Sequence, residues 1–82
     1  MISDEKIIEN LIEIYSKYLD NPKDKLNIKN AFEVYTRYFN GADTIFGEEV
    51  SKAIWSSFDL FEGKLSEKET KRILEYLKKS EK

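Results

Sequence analysis

Between Ile7 and Leu19 the apolar side chains recur at helical spacing rather than in alternation. At 100° per residue, Ile7, Ile8, Leu11, Ile12, Ile14, Tyr15, Tyr18 and Leu19 fall within an arc of about 160°. Glu9, Asn10, Glu13, Ser16 and Lys17 fill the opposite side. Ser3 is the expected N-cap, and Asp4 and Glu5 lie in the first turn, where the helix dipole favours acids. The segment must stop at Asp20-Asn21-Pro22, because proline disfavours a helical residue before it. A helix over about 4–20 is predicted.

Three further segments follow the same rule. Ile28, Ala31, Phe32, Val34, Tyr35, Tyr38 and Phe39 share an arc that closes at Asn40-Gly41, predicting a helix over about 25–40. Leu26 lies off that arc, either as a staple before an Asn27 cap or in a separate first turn starting at Pro22. Phe46, Val50, Ala53, Ile54, Phe58, Leu60 and Phe61 share the face of a helix over about 47–62, with Glu48 and Glu49 in its first turn. Ser66 followed by Glu69 is a capping box that opens a helix over about 66–80, with a short stripe of Ile73, Leu74, Tyr76 and Leu77. No segment sustains period-two alternation, so no strand is predicted. The expected fold is all-α: one domain over 1–82, a compact bundle of four short helices with antiparallel neighbours.

Acid-before-base pairs at i,i+4 support the helices: Glu13/Lys17, Glu33/Arg37, Glu48/Lys52, Glu67/Lys71 and Glu75/Lys79. An offset of twenty residues aligns the segment from Ile8 to Leu19 with that from Ile28 to Phe39. Ile8/Ile28, Asn10/Asn30, Glu13/Glu33, Tyr15/Tyr35 and Tyr18/Tyr38 match identically. Two copies of twenty residues are too few for a solenoid. The similarity predicts an αα-hairpin whose arms offer equivalent faces to one core.

Composition narrows the chemistry. The 82 residues are 37% charged and 40% hydrophobic, a balance that supports a small folded core. Fourteen Lys and Arg against sixteen Asp and Glu leave a formal charge of −2, without the electrostatic footprint of a nucleic-acid binder. The chain contains no Cys and no His, which removes disulfides, thiol nucleophiles, histidine bases and most zinc sites. No apolar run reaches the roughly 20 residues of a membrane span, and Met1-Ile2-Ser3-Asp4-Glu5 does not read as a secretory signal. A cytoplasmic location is expected. Abundant Lys and Glu with no Gln follow the hyperthermophile trend, although an AT-rich genome also favours Lys, Ile, Asn and Tyr.

Patterns for catalysis or metal binding fail. Glu5/Glu9 and Glu9/Glu13 sit one turn apart on a polar face, without the burial or cleft that carboxylate catalysis needs. Asp20-Asn21-Pro22-Lys23-Asp24 departs from an EF-hand loop, with Pro22 at its third position and Lys25 at its sixth. Gly41, Gly47 and Gly63 are isolated, so no phosphate-binding loop is present. No catalytic residue, cofactor or metal is expected.

Binding is the better expectation. Tyr15/Tyr18 and Tyr35/Tyr38 belong to core arcs, with rings expected inside and hydroxyls reaching water or carbonyls at the rim; the alternative is an aromatic platform for a partner. Trp55 stands about 60° from Phe58 at the edge of its stripe, with Lys52, Ser56 and Asp59 beyond it. Ile45 also falls off the main arc. Trp55 either seals a small core or anchors a partner interface together with Ile45, Lys52 and Asp59. Charge is uneven: residues 1–20 carry two basic and five acidic side chains, residues 62–82 seven and five. Lys68, Lys71, Arg72, Lys78 and Lys79 share an outer face, read as solvated or as a weak phosphate contact.

The expected function is therefore that of a non-enzymatic helical accessory subunit that docks a helix face on a larger protein. In composition, size and helical pattern the chain resembles the small helical subunit of the crenarchaeal family-B replicative DNA polymerase holoenzyme. That resemblance implies support of a polymerase catalytic subunit and brings no motif residues with it. Over about residues 7–79 the chain is also similar to pediocin-like bacteriocin immunity proteins. It shares a helix, a loop with Asp, Pro and Lys, and then helices ending in Lys64-Leu65-Ser66-Glu67. This second resemblance implies a cytoplasmic four-helix bundle that protects the producer cell. Lys79-Ser80-Glu81-Lys82 departs from the extended C-terminus usual in those proteins.

Overall fold

A computed structural model describes residues 4–41 and 46–80. Among the described residues four helices make up the fold: α1 (Asp4–Asp20), α2 (Lys25–Tyr38), α3 (Glu48–Phe61) and α4 (Glu67–Ser80). No strand occurs among the described residues. The all-α bundle expected from the periodicity is the observed fold.

Local chemistry accounts for three of the helix ends. Asp24 caps α2, its carboxylate accepting from the backbone N–H groups of Leu26 and Asn27 at 3.1 and 3.3 Å. The cap is thus Asp24 rather than Asn27, and Leu26 staples nothing: it lies in the first turn of α2, 66% exposed. Ser66 caps α4 through the N–H of Glu69 at 3.1 Å, as the capping box predicts. The Glu69 carboxylate turns instead towards Arg72, 3.5 Å away. Beyond α3 the chain turns at Gly63, whose φ of +74° is left-handed and natural for glycine at a helix end. The Ser3 cap falls outside the described residues.

The core is drawn from all four helices. Ile7, Leu11 and Tyr15 of α1, Ala31 of α2, Ala53, Ile54 and Leu60 of α3, and Leu77 of α4 are fully buried. Of the buried polar side chains, Ser57 and Thr70 are satisfied within their own helices, Ser57 by the carbonyl of Ile54 and Thr70 by that of Ser66. Among the predicted i,i+4 pairs, Glu13–Lys17 closes at 2.8 Å and Glu67–Lys71 at 3.9 Å. The other three do not form ion pairs, which is reasonable for exposed pairs whose attraction barely offsets side-chain entropy.

The helices pack chiefly in two pairs, α1 with α4 and α2 with α3. Both pairs run antiparallel. Tyr18, near the end of α1, donates its hydroxyl to the carbonyl of Leu65, just before α4 begins, at 3.2 Å. Along α2, Phe32, Tyr35 and Phe39 meet Phe61, Phe58 and Trp55 in turn, so α3 is read backwards as α2 advances.

Candidate protein-docking site

The antiparallel register of α2 and α3 builds one continuous aromatic seam. Phe32 lies against Phe61 with ring centroids 4.4 Å apart, Tyr35 against Phe58 at 4.9 Å, and Phe39 edge-on to Trp55 at 6.0 Å. Tyr35 also stacks on Phe39 at 5.1 Å and meets the edge of Trp55 at 5.8 Å, and Phe58 contacts Phe61 at 6.1 Å. The spacing explains the ladder: residues three and four apart share a helix face, so 32, 35 and 39 line one wall and 55, 58 and 61 the other.

The seam is only half covered. Phe32 and Phe39 are each 37% exposed, Phe61 38% and Trp55 44%, while Tyr35 and Phe58 are half-buried. Aromatic pairs of this geometry contribute about 0.5–1.5 kcal/mol beyond their buried area, enough to order the rings without hiding them. A contiguous row of exposed aromatics is uncommon on a soluble surface and characteristic of contact sites. The α1 tyrosines behave differently: Tyr15 and Tyr18 are buried. Burial, with a further contribution from Asp59, holds the Tyr15 phenol well above the usual tyrosine range.

Trp55 belongs to this seam at its most exposed point, and Lys52 and Asp59 are exposed on the same helix. Glu48, Ser51, Lys52 and Trp55 border a shallow recess of about 440 Å³ at that end. Ile45 lies outside the described residues. Periodicity assigns Phe32, Phe39 and Phe61 to the core stripes, yet they form most of the exposed surface of the seam. The signal available in the sequence is the i, i+3 and i, i+4 spacing of aromatics on two consecutive helices.

A second feature lies between α1 and α2, a groove of about 250 Å³. The twenty-residue repeat is the reason for its symmetry: Asn10 and Asn30, Glu13 and Glu33, and Ile14 and Val34 line it as equivalent pairs from the two arms, joined by Asn27, Arg37 and Tyr38. The arms share this groove, but they do not offer equivalent faces to the core: Tyr15 and Tyr18 are buried where Tyr35 and Tyr38 are half-buried, and each arm packs chiefly on another helix. Asn27 is buried at its base, donating its amide to the carbonyl of Ile14 at 2.9 Å, with Oδ1 lacking a protein partner. Lys17 draws the Glu13 carboxyl below its ordinary value by hydrogen bond and charge, and Glu13 raises Lys17 in the same way.

The basic face of α4 is exposed at Lys68, Lys71, Arg72, Lys78 and Lys79. Lys71 and Arg72 are partly neutralised by Glu67 and Glu69 of their own helix. No group of three or more acidic side chains placed to hold a metal occurs among the described residues, and no described helix is long and apolar enough to cross a membrane. No family model matches the chain, and neither a curated protein nor a solved structure similar to it was found.

Proposed function

We propose that the chain is a non-catalytic docking module that binds a larger protein through the α2/α3 aromatic seam. One observation carries this reading: six aromatic side chains line a single seam, and four of them are more than a third exposed. Trp55, the most exposed of the six, is the expected hot spot, since tryptophan is the residue type most enriched at such positions. Lys52 and Asp59 form the polar rim on its helix. The resemblance to the small helical polymerase subunit makes a family-B DNA polymerase catalytic subunit the first partner to test.

The test compares the tagged wild-type chain with Trp55→Ala in affinity capture from the native host, washed at high salt. Stoichiometric polymerase retained by wild type and lost from Trp55→Ala is the expected result. A loss of about 2 kcal/mol, the hot-spot scale, corresponds to roughly thirtyfold weaker binding. Equal retention by both chains would overturn the seam as the docking surface. Recovery of a membrane sugar permease only when bacteriocin is present would replace the polymerase reading with the immunity reading.

A further inference from the structure

The two rims of the seam carry opposite charge. On α2, Lys25 and Lys29 lie on the outer shoulder of Phe32, and both are exposed. On α3, Glu48 and Asp59 lie on the outer shoulder of Trp55, with Lys52 between them and Glu62 following Phe61. The antiparallel register settles their heights. Phe32 meets Phe61, so Lys29, one turn before Phe32, and Glu62, directly after Phe61, sit at the same end of the seam on opposite rims.

That arrangement is self-complementary. A two-fold axis parallel to the helices, placed between two copies facing seam to seam, lays α2 of each copy over α3 of the other and preserves height along the helices. Lys29 of each copy then stands over Glu62 of the second, twice in one interface, while the exposed edges of Phe32, Phe39, Trp55 and Phe61 cover one another. Isologous pairing of this kind uses one patch against itself, and opposed charges set its register. Glu62 reaches Lys64 of its own chain only at 3.8 Å, so a second cation can approach it.

We infer that the chain pairs with a second copy of itself through the α2/α3 seam, in a two-fold dimer registered by reciprocal Lys29–Glu62 contacts. This rests on reading the seam as a contact surface. It adds that the surface is covered by self-association when no other partner occupies it, so that a docking partner displaces the second copy.

Sedimentation equilibrium over about 10 µM to 1 mM tests the inference, that range covering weak association. Wild type is expected to rise from the 9.7 kDa monomer towards twice that mass. Lys29→Glu sets acid against acid, and Glu62→Lys sets base against base. Each alone is expected to weaken association about tenfold through two like-charge contacts. Both positions are exposed, and circular dichroism checks that each variant keeps its helices. An equimolar mixture of the two variants places glutamate opposite lysine at both contacts, and association is expected to return to the wild-type level. A wild type that stays monomeric throughout, single variants that associate as tightly as wild type, or a mixture that fails to recover would each overturn the dimer. Failure here is separable from failure of the docking reading. Partner capture lost in Trp55→Ala beside a monomeric wild type overturns the dimer alone. A charge-rescued dimer beside capture indifferent to Trp55→Ala overturns the docking reading alone.

Discussion

Tyr15 donates its hydroxyl to the carbonyl of Ala53 at 2.6 Å, a buried contact that ties the middle of α1 to α3 across 38 residues of sequence. The ring is fully buried, and burial more than the nearby Asp59 charge pushes its ionisation far above the ordinary value. Folded chains therefore keep this proton at a pH where unfolded chains release theirs. The unfolded state then binds fewer protons, and stability must fall as pH rises above the ordinary tyrosine value of about 10. One such group gives a limiting slope of about 1.4 kcal/mol per pH unit. Urea midpoints measured between pH 8 and 11 should drop above pH 10 in wild type and drop less in Tyr15→Phe, which should itself cost about 1 kcal/mol at pH 7. Parallel curves for the two proteins would show that Tyr15 is not the group responsible.

How far the sequence discloses this arrangement depends on whether each feature is dictated locally. The α1 stripe is legible because burying one face of a helix imposes its period on the residues, and Ile7, Leu11 and Tyr15 are indeed fully buried. Ser66 is legible because capping is a contact three residues long. The exposure of Phe32, Phe39 and Phe61 is not legible, since periodicity marks apolar positions without saying whether another helix covers them. Asn27 and Asp24 are both acceptable caps by residue type. Only the placement of Asn27 opposite the carbonyl of Ile14 decides that Asn27 goes inward and Asp24 caps. Trp55 is identifiable because it stands off its stripe. Its neighbours in the seam stand on theirs.

Gly47 begins α3 without a side-chain cap, in an extended conformation with φ −64° and ψ 167° that any residue adopts. An added Cβ would meet only the Glu49 carboxylate oxygen, at an ordinary 3.9 Å. Serine there supplies the missing acceptor for the first-turn N–H groups and restricts the unfolded chain. Gly47→Ser should therefore stabilise the fold by about 0.5–1 kcal/mol, read as a higher urea midpoint at unchanged slope. A lower midpoint would mean that the start of α3 is held by contacts other than capping.

Asn27 holds the first turn of α2 to α1 through a buried amide while its Oδ1 finds no protein partner. Alanine removes the bond and the orphaned oxygen together, so Asn27→Ala should cost only about 1–2 kcal/mol. Aspartate keeps the shape but turns an oxygen towards the carbonyl of Ile14 and buries a charge, so Asn27→Asp should cost about 3 kcal/mol or more at pH 7. Protonation supplies an O–H donor, and part of that loss should return near pH 4. Denaturation of both variants at the two pH values checks the order. If Asn27→Asp proves as stable as Asn27→Ala at pH 7, solvent reaches this position and the buried-charge argument fails.

Trp55 and Ile54 are adjacent on α3 yet face different surroundings. Ile54 is fully buried in the four-helix core, while Trp55 is 44% exposed and its ring contacts are with Tyr35 and Phe39 of the seam. Truncating Ile54 leaves a cavity lined by other core side chains, and Ile54→Ala should cost about 2–5 kcal/mol. Truncating Trp55 opens onto solvent and forfeits two aromatic edge contacts, so Trp55→Ala should cost about 1–2 kcal/mol. For a domain of this size each kcal/mol lowers the melting midpoint by about 4–8 °C, which makes the two variants separable in one thermal scan. The comparison bears directly on function. If Trp55→Ala keeps a cooperative transition well above that of Ile54→Ala, a loss of partner binding in the same variant is a loss of contact surface. If it melts as low as Ile54→Ala, Trp55 is a core residue, and the seam loses its anchor as a docking site.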